Sequence, residues 1–337
     1  MDFGFNDEQQ AIKETAREML AKRSPLAAVR EAAESRTYDD ALWKEICDLG
    51  WPGIAIAEEH GGQGLGAVEL AILSEELGYA LAASPFLATV AAAEAIGVAG
   101  TPEQQAHWLP LLASGEATGA IGAAGGLVPD ADAAAVIVLI GDDGVARVLA
   151  RADADVTPVD SIDPTRRAAR VSAPATHGEA LGGDSEAAID RATVVVAAEL
   201  VGVSQRALEM TLAYVKDRKQ FDTPVGAYQA VSHKCAQMLK DTEGARSATY
   251  FAAWAADAEP DRLPEAASLA KAAASDGGRD VTASAIQAHG GIGFTWEADV
   301  HWLYKRAQVD AALLGGSGTH RARLARLLAA RLQPAAA

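Results

Sequence analysis

The chain has 337 residues, half of them hydrophobic, and a formal net charge of −17. Its length and composition are those of a globular protein that buries a sizeable core. The acidic balance argues against a nucleic-acid partner and against an anionic membrane surface, because both require a basic patch on the protein.

Further classes of protein are excluded by residue types and their spacing. The two cysteines, Cys47 and Cys235, are too few for a disulfide scaffold or a zinc knuckle, and no two of the seven histidines have metal-binding helical spacing. The first residues are acidic, unlike a signal peptide, and no apolar stretch is long enough to cross a bilayer. We therefore expect a cytoplasmic protein without a resident metal.

Residues 1–118 are predicted to form a helical N-terminal domain. Asn6 and Gln9 have the spacing of a capping box ahead of a helical apolar pattern, and Thr101 with a following proline marks another helix start. Further helices are predicted over residues 39–49, 67–79 and 84–98. The glycine-rich segment 61–66 lacks the spacing of a phosphate loop, which favours a plain turn between helices.

The hydrophobic period changes near Gly119, and residues 119–184 are predicted to form a shortened middle β domain. Two apolar runs, 133–140 and 145–150, flank a Gly-Asp-Asp-Gly turn and predict a β-hairpin. Further strands are predicted over residues 156–160 and 168–171. The region is small for an independent domain.

Residues 185–337 are predicted to form a C-terminal helical domain. Val196, Leu200 and Val203 belong to an apolar stripe with helical spacing. Long helical patterns follow over residues 229–256, 264–288, 296–313 and 319–332. Consecutive helices of this length predict an antiparallel four-helix bundle.

Two segments of this domain carry more information about function. Residues 217–229 predict a helix end, a turn with Pro and Gly, and a new helix; Arg218 there either complements the helix dipole or contacts a ligand. Residues 287–294 contain three glycines, which either cap a helix or let a ligand approach the backbone. Taken singly, each segment leaves both interpretations open.

Together the two segments resemble the signatures of the acyl-CoA dehydrogenase family. They follow the patterns RKQFxxPxGxxQ and QxxGGxGF, and N-terminal segments such as Leu49-Gly50-Trp51 agree. The resemblance covers nearly the whole chain. It implies a mainly α fold with an N-terminal helical domain, a middle β domain and a C-terminal four-helix bundle.

The resemblance also implies an activity. In this family a carboxylate removes the α-proton of an acyl-CoA thioester, the β-hydrogen leaves as a hydride to FAD, and an electron-transfer flavoprotein accepts the electrons. A thioester α-proton is only weakly acidic, so the reaction needs a desolvated glutamate base and hydrogen bonds to the developing enolate.

Six residues match family positions that contact the FAD of a neighbouring subunit. They are Arg218, Phe221, Gln229, Gln287, Gly290 and Gly291. The resemblance places Arg218 at the FAD pyrophosphate, with Phe221 and Gln229 beside it. Gln287 and the two glycines would contact the adenosine end.

The chain departs from the family at both known positions of the catalytic glutamate. The position in the turn before the last helix is occupied by Gly315, and the position on the first C-terminal helix by Ala192. In the middle domain, residues 119–126 replace a segment that holds the flavin ring, and a second such segment is deleted. The resemblance therefore implies no catalytic residue in this chain.

This asymmetry predicts the short, non-catalytic subunit of a heterotetrameric acyl-CoA dehydrogenase, with FAD shared with a longer catalytic homologue. The chain resembles such subunits from actinobacterial enzymes that shorten steroid side chains, so a steroid side-chain CoA thioester is the expected substrate. Two alternatives stay open. One is a self-sufficient homomeric dehydrogenase that uses Asp190 or Glu199 as its base, and the other is a flavin-free scaffold protein of the same fold.

Overall fold

The computed structural model of the protein describes residues 4–173 and 178–332, and its N-terminal part is helical as predicted. The helices are α1 (Asp7–Arg23), α2 (Leu26–Ser35), α3 (Asp40–Asp48), α4 (Ala67–Ala80), α5 (Phe86–Ala99) and α6 (Pro102–Ser114). The predicted capping box is confirmed, because the Asn6 side chain accepts a hydrogen bond from the Gln9 backbone N–H and the Gln9 side chain accepts one from Asn6. Thr101 caps α6 in the same way.

Helix α2 is the N-terminal element that the sequence analysis missed. It begins after Pro25 with no side-chain cap and ends at Arg36, which adopts a left-handed conformation without being glycine. Its start and end therefore carry no strong sequence signal. Long-range packing holds it instead, since Val29 and Ala33 are buried in the apolar cluster of the C-terminal helices.

A small β region follows. Its strands are β1 (Gly119–Ala123), β2 (Leu127–Pro129), β3 (Val136–Ile140), β4 (Ala146–Ala150), β5 (Asp155–Pro158), β6 (Ala168–Ser172) and β7 (Glu179–Ala180). The predicted hairpin is confirmed as the antiparallel pair β3–β4, with Gly144 at positive φ in its turn. Strand β1 pairs with β3 in parallel, and β5 pairs with β6 antiparallel.

The C-terminal part consists of long helices. Its elements are α7 (Ser185–Asp217), β8 (Lys219–Gln220), β9 (Thr223–Pro224), α8 (Gln229–Ala258), α9 (Leu263–His289), α10 (Val300–Asp310) and α11 (Ser317–Leu332). The helix predicted over 296–313 is shorter than expected: α10 covers Val300–Asp310, and turn residues follow it up to Leu314, which takes a positive φ. The mainly helical fold is confirmed; the predicted limits of the three domains remain predictions.

Helix α7 packs against both the N-terminal helices and the β region. A Cβ atom added at Gly202 would lie 1.9 Å from the carbonyl oxygen of Glu75, and one added at Gly78 would lie 2.3 Å from that of Glu199. Helices α4 and α7 therefore cross with their backbones in contact, which requires glycine at both positions. The N-terminal half of α7 packs into the same apolar core as α5 and β3.

Candidate functional site

The two sequence segments with family signatures meet at one end of the C-terminal bundle. The ring of Tyr214, near the end of α7, stacks on His289 at the end of α9 with 4.4 Å between ring centroids. On α8, the Lys234 Nζ atom donates a hydrogen bond of 2.8 Å to Oε1 of Gln287. These contacts join the ends of α7 and α9 and the start of α8 into one surface, which we call the bundle-end surface.

Arg218 is the residue at which α7 ends. Its backbone N–H donates to the Tyr214 carbonyl, and its own carbonyl accepts from Val225 across the β8–β9 hairpin. Its side chain is exposed, and within residues 4–173 and 178–332 it has no hydrogen-bond or ion-pair partner. A guanidinium with free donors in a fork geometry is well suited to a phosphate ligand.

Phe221 lies at the tip of the β8–β9 hairpin and presents its ring to solvent. Its side chain is 90% exposed, and its backbone takes a positive φ of 50°, which is uncommon for a bulky residue. Gln229 is the first residue of α8 and is also exposed. A ring as exposed as that of Phe221 is typical of a contact surface rather than of a folded core.

Gly290 and Gly291 follow the end of α9. A Cβ atom added at either position would meet no atom within 4 Å, and Gly290 takes a φ of +67°. By contrast, a Cβ at Gly293 would lie 2.5 Å from the Ile286 carbonyl oxygen. Gly293 is therefore required by packing, whereas the first two glycines leave open space beside an accessible backbone.

The two family positions of the glutamate lie in different surroundings. Ala192 is fully buried in the core cluster that also contains Leu87 and Leu313. Gly315 is half-buried, and a Cβ atom added there would lie 3.2 Å from Nε2 of His320. Neither position carries a carboxylate.

The turn that contains Gly315 is fixed by a buried lysine. The Nζ atom of Lys271, on α9, donates to the carbonyl oxygens of Gly315 at 3.0 Å and Ala311 at 3.1 Å, and to the hydroxyl of Ser275. Burial lowers the pKa of Lys271 to about 8. His320 also contacts the turn, with its Nε2 atom 3.1 Å from the Leu314 carbonyl oxygen.

Asp190 and Glu199, the alternative bases, are both ion-paired to arginines. Asp190 pairs with Arg323 of α11, and burial raises the pKa of Asp190 to about 6. The Oε1 atom of Glu199 accepts hydrogen bonds from Arg166 and Arg306, both buried. Each carboxylate is thus held by arginine, although Oε2 of Glu199 accepts no hydrogen bond in the described part of the chain.

Glu199 belongs to a buried ionic network that the sequence analysis missed. The network consists of Asp163, Arg166, Glu199, Arg306 and Asp310. It joins the loop between β5 and β6 to helices α7 and α10. The available signal is the pair of opposite charges at i and i+4 on α10, Arg306 and Asp310, but their partners are more than 100 residues away in sequence.

Residues 119–126, which replace the flavin-ring segment of the family, form β1 and the turn that follows it. Positions 119–122 are buried, and a Cβ atom added at Gly119 would lie 2.8 Å from that of Ala92 on α5. The buried half of the segment packs into the core, and none of its eight residues has a polar side chain. Within the described ranges no cluster of three or more His, Cys, Asp or Glu could hold a metal, and no helix is long and apolar enough to span a membrane.

Comparison with known proteins gives the same family over both helical parts. The sequence profile of the acyl-CoA dehydrogenase N-terminal domain matches residues 6–116, and that of the C-terminal domain matches residues 185–329. Acyl-CoA dehydrogenase IpdE2 of Mycobacterium tuberculosis is 38% identical over 91% of this chain and 93% of its own length. IpdE2 of Mycolicibacterium smegmatis is 35% identical over 92% and 96%.

Solved structures agree with these relatives. A variant of the Tcur3481–Tcur3483 steroid ACAD superposes with a TM-score of 0.86 and 29% identity, covering 96% of this chain and 98% of the other. The ChsE4–ChsE5 complex from Mycobacterium tuberculosis superposes with a TM-score of 0.88 and 25% identity, covering 99% and 100%. The chain belongs to the acyl-CoA dehydrogenase family.

Proposed function

We propose that this chain is the short, non-catalytic subunit of a heterotetrameric acyl-CoA dehydrogenase. The observation that carries the proposal is a contrast between two regions. The bundle-end surface exposes Arg218, whose side chain has no partner in the described part of the chain, whereas neither Ala192 in the packed core nor Gly315 in its turn supplies a base. A general base supplies about 10²–10⁴ in rate, so the isolated chain is a poor dehydrogenase.

The residues of the bundle-end surface fit one part of an FAD molecule. The free guanidinium of Arg218 suits the pyrophosphate, and charge-assisted hydrogen bonds contribute about 1.5–3 kcal/mol each. Gly290 and Gly291, with open space beside their backbone, suit the adenosine end together with Gln287. When bound, FAD supplies the hydride acceptor. Phe221 is then the exposed ring that closes against the neighbouring subunit.

The remainder of the site is assigned to a longer catalytic homologue. That partner holds the flavin ring and provides the glutamate that takes the α-proton, because residues 119–122 of this chain are buried in its own core and residues 119–126 offer no polar side chain. Similarity to the ChsE4–ChsE5 complex and to the Tcur3481–Tcur3483 steroid ACAD supports two unlike chains and a steroid side-chain CoA thioester as substrate. An electron-transfer flavoprotein is the proposed electron acceptor.

A self-sufficient homomeric enzyme is the second candidate, and one observation favours it. Asp190 lies two residues before Ala192 on α7, and its pKa is raised to about 6, which suits a general base. It would first have to leave Arg323. A flavin-free scaffold of the same fold is the third candidate.

Flavin content and native mass separate the three candidates. The chain is expressed alone and together with the longer homologue, and each purified species is analysed by native mass spectrometry and flavin absorbance. We expect a complex with two chains of each kind and two FAD, and no FAD on the isolated chain. One FAD per isolated chain with acyl-CoA oxidation would instead support the homomeric enzyme, and a flavin-free complex would support the scaffold.

A further inference from the structure

Gln287, one of the residues proposed to contact FAD, is held by a lysine of the neighbouring helix. The Nζ atom of Lys234 on α8 donates a hydrogen bond of 2.8 Å to the Oε1 atom of Gln287 on α9. In the described part of the chain, neither side chain has another hydrogen-bond partner, and no carboxylate pairs with the lysine. The lysine is half-buried and the glutamine is exposed, so the glutamine remains accessible to a ligand.

The chemistry of the two groups fixes the orientation of the amide. An ammonium group has three N–H donors and no acceptor, whereas a glutamine amide has an oxygen that accepts and a nitrogen that donates. The amide oxygen of Gln287 must therefore face Lys234, and its Nε2 atom is turned away from the lysine. Because no group in the described part of the chain accepts a hydrogen bond from Nε2, both of its N–H donors are available to a ligand.

The pair stands on a rigid frame. A Cβ atom added at Gly277 of α9 would lie 3.3 Å from the carbonyl oxygen of Asp241, so the backbones of α8 and α9 pack closely. The end of α9 is attached to α7 as well, through the stacked rings of His289 and Tyr214. The backbone of Gln287 is therefore fixed, and the hydrogen bond from Lys234 restricts the side-chain rotations that remain.

An ordered donor at this place suits the cofactor that the surface is proposed to bind. The pyrophosphate oxygens and the ring nitrogens of adenine accept hydrogen bonds, and a side chain ordered in advance loses less conformational entropy on binding. We infer that Lys234 is a positioning residue, which holds the amide of Gln287 with its N–H donors available to the cofactor. The inference rests on the proposed function, because FAD is the ligand that this function assigns to Gln287.

A double-mutant cycle in the purified complex with the longer homologue tests this role. The dissociation constant for FAD is measured for the wild type, Lys234→Met, Gln287→Ala and the double variant. We expect Lys234→Met to raise the dissociation constant about threefold to tenfold, the equivalent of one hydrogen bond. In the Gln287→Ala background the same substitution should change it by less than about twofold, because the lysine acts through the amide.

Two further variants separate positioning from charge and from folding. Lys234→Arg should weaken binding less than Lys234→Met, because a guanidinium also donates and cannot accept. Lys240→Met, which removes an exposed lysine of the same helix, should leave the dissociation constant unchanged. An equal effect of Lys234→Met with and without the Gln287 side chain would mean that the lysine acts on FAD by its charge, and this result overturns the inference.

The same measurements distinguish failure of the inference from failure of the proposed function. If Gln287→Ala and Arg218→Ala both leave FAD bound as in the wild type, the proposed function is wrong and the role of Lys234 is wrong with it. If these two variants weaken binding and Lys234→Met does not, the proposed function stands and only the role of Lys234 is wrong.

Discussion

Arg218 is the residue on which the proposed half-site depends most. Its position is fixed by backbone hydrogen bonds at both ends of the α7–β8 junction, so removing its side chain leaves the local fold intact. We predict that Arg218→Ala in the assembled complex raises the dissociation constant for FAD about tenfold to a hundredfold, the equivalent of one or two charge-assisted contacts. Flavin retained after gel filtration measures the effect.

The matched control for this prediction is Arg170→Ala, which removes an exposed arginine of the β region. Arg218→Lys should fall between the wild type and the alanine variant, because lysine keeps the charge and loses the bidentate geometry. A complex that keeps its FAD after Arg218→Ala would contradict the assignment of the pyrophosphate to this residue.

Lys271 gives a prediction about pH and stability. Its folded-state pKa of about 8 lies below its ordinary value of 10.5, so between these pH values the unfolded chain binds more protons than the folded chain. The contribution of Lys271 to the free energy of unfolding therefore rises with pH across this window, by up to about 1.4 kcal/mol per unit. Denaturant titrations from pH 7.5 to 10 should show this component in the wild type and lose it in Lys271→Met.

The control for Lys271 is Lys240→Met, which changes an exposed lysine on α8. This variant should follow the wild-type pH dependence throughout. If Lys271→Met and the wild type show the same dependence, the buried ammonium does not titrate in this window and the proposed origin of the effect is wrong.

At the scale of elements, the sequence predicts those helices and strands whose signals are local. The capping residues Asn6 and Thr101 start α1 and α6 where expected, and the turn before Gly144 closes the expected hairpin. Helix α2 was missed because Pro25 provides no cap and its support comes from residues far along the chain. The parallel pairing of β1 with β3 is likewise set by packing against α5 rather than by a local turn.

The candidate site likewise contains residues with a local sequence signal and residues without one. Arg218 and Gly290 could be proposed from the sequence because they lie in contiguous segments with a family pattern, and their role stays a prediction. The arginines that hold Glu199 could not be found, because Arg166 and Arg306 come from separate elements and meet only in the folded chain.

The buried ionic network yields a prediction about the packing of α7 and α10. Glu199→Gln leaves two buried arginines with one fewer charged partner, which should lower the free energy of unfolding by about 3 kcal/mol. Adding Arg166→Met to Glu199→Leu should recover part of the loss relative to Glu199→Leu alone, because both charges are then absent. Denaturant unfolding of the variants measures both effects.

The same variants bear on the alternative base. If the role of Glu199 is only structural, in the ionic network between α7 and α10, then correctly folded complexes with Glu199→Gln should keep their rate of acyl-CoA oxidation and the pH profile of that rate. A loss of rate in a complex with normal FAD content and normal mass would instead assign Glu199 a part in proton removal.

At the scale of the whole molecule, the bundle-end surface leaves large aromatic side chains exposed to solvent. Phe221, one of the residues proposed to contact FAD, is 90% exposed, and Phe294, which follows Gly290 and Gly291 in the chain, is 80% exposed. Exposed aromatic surface promotes self-association of the isolated chain. The net charge of −17 opposes this association by repulsion between chains, but it does not remove the apolar surface from solvent. Assembly with a partner would cover this surface.

This argument predicts opposite effects of one substitution on the isolated chain and on the complex. Phe294→Ser should raise the soluble fraction of the chain expressed alone, because it removes apolar surface from solvent. The same substitution should weaken assembly with the longer homologue by at least about tenfold, because an aromatic contact in the interface is lost. Ile162→Ser, which changes a side chain 60% exposed in the loop between β5 and β6, is the control and should alter neither quantity. Sedimentation of the isolated chain and titration of the two chains provide the readouts. If Phe294→Ser leaves assembly unchanged, the bundle-end surface is not where the partner binds, and the shared FAD site must be sought on another face.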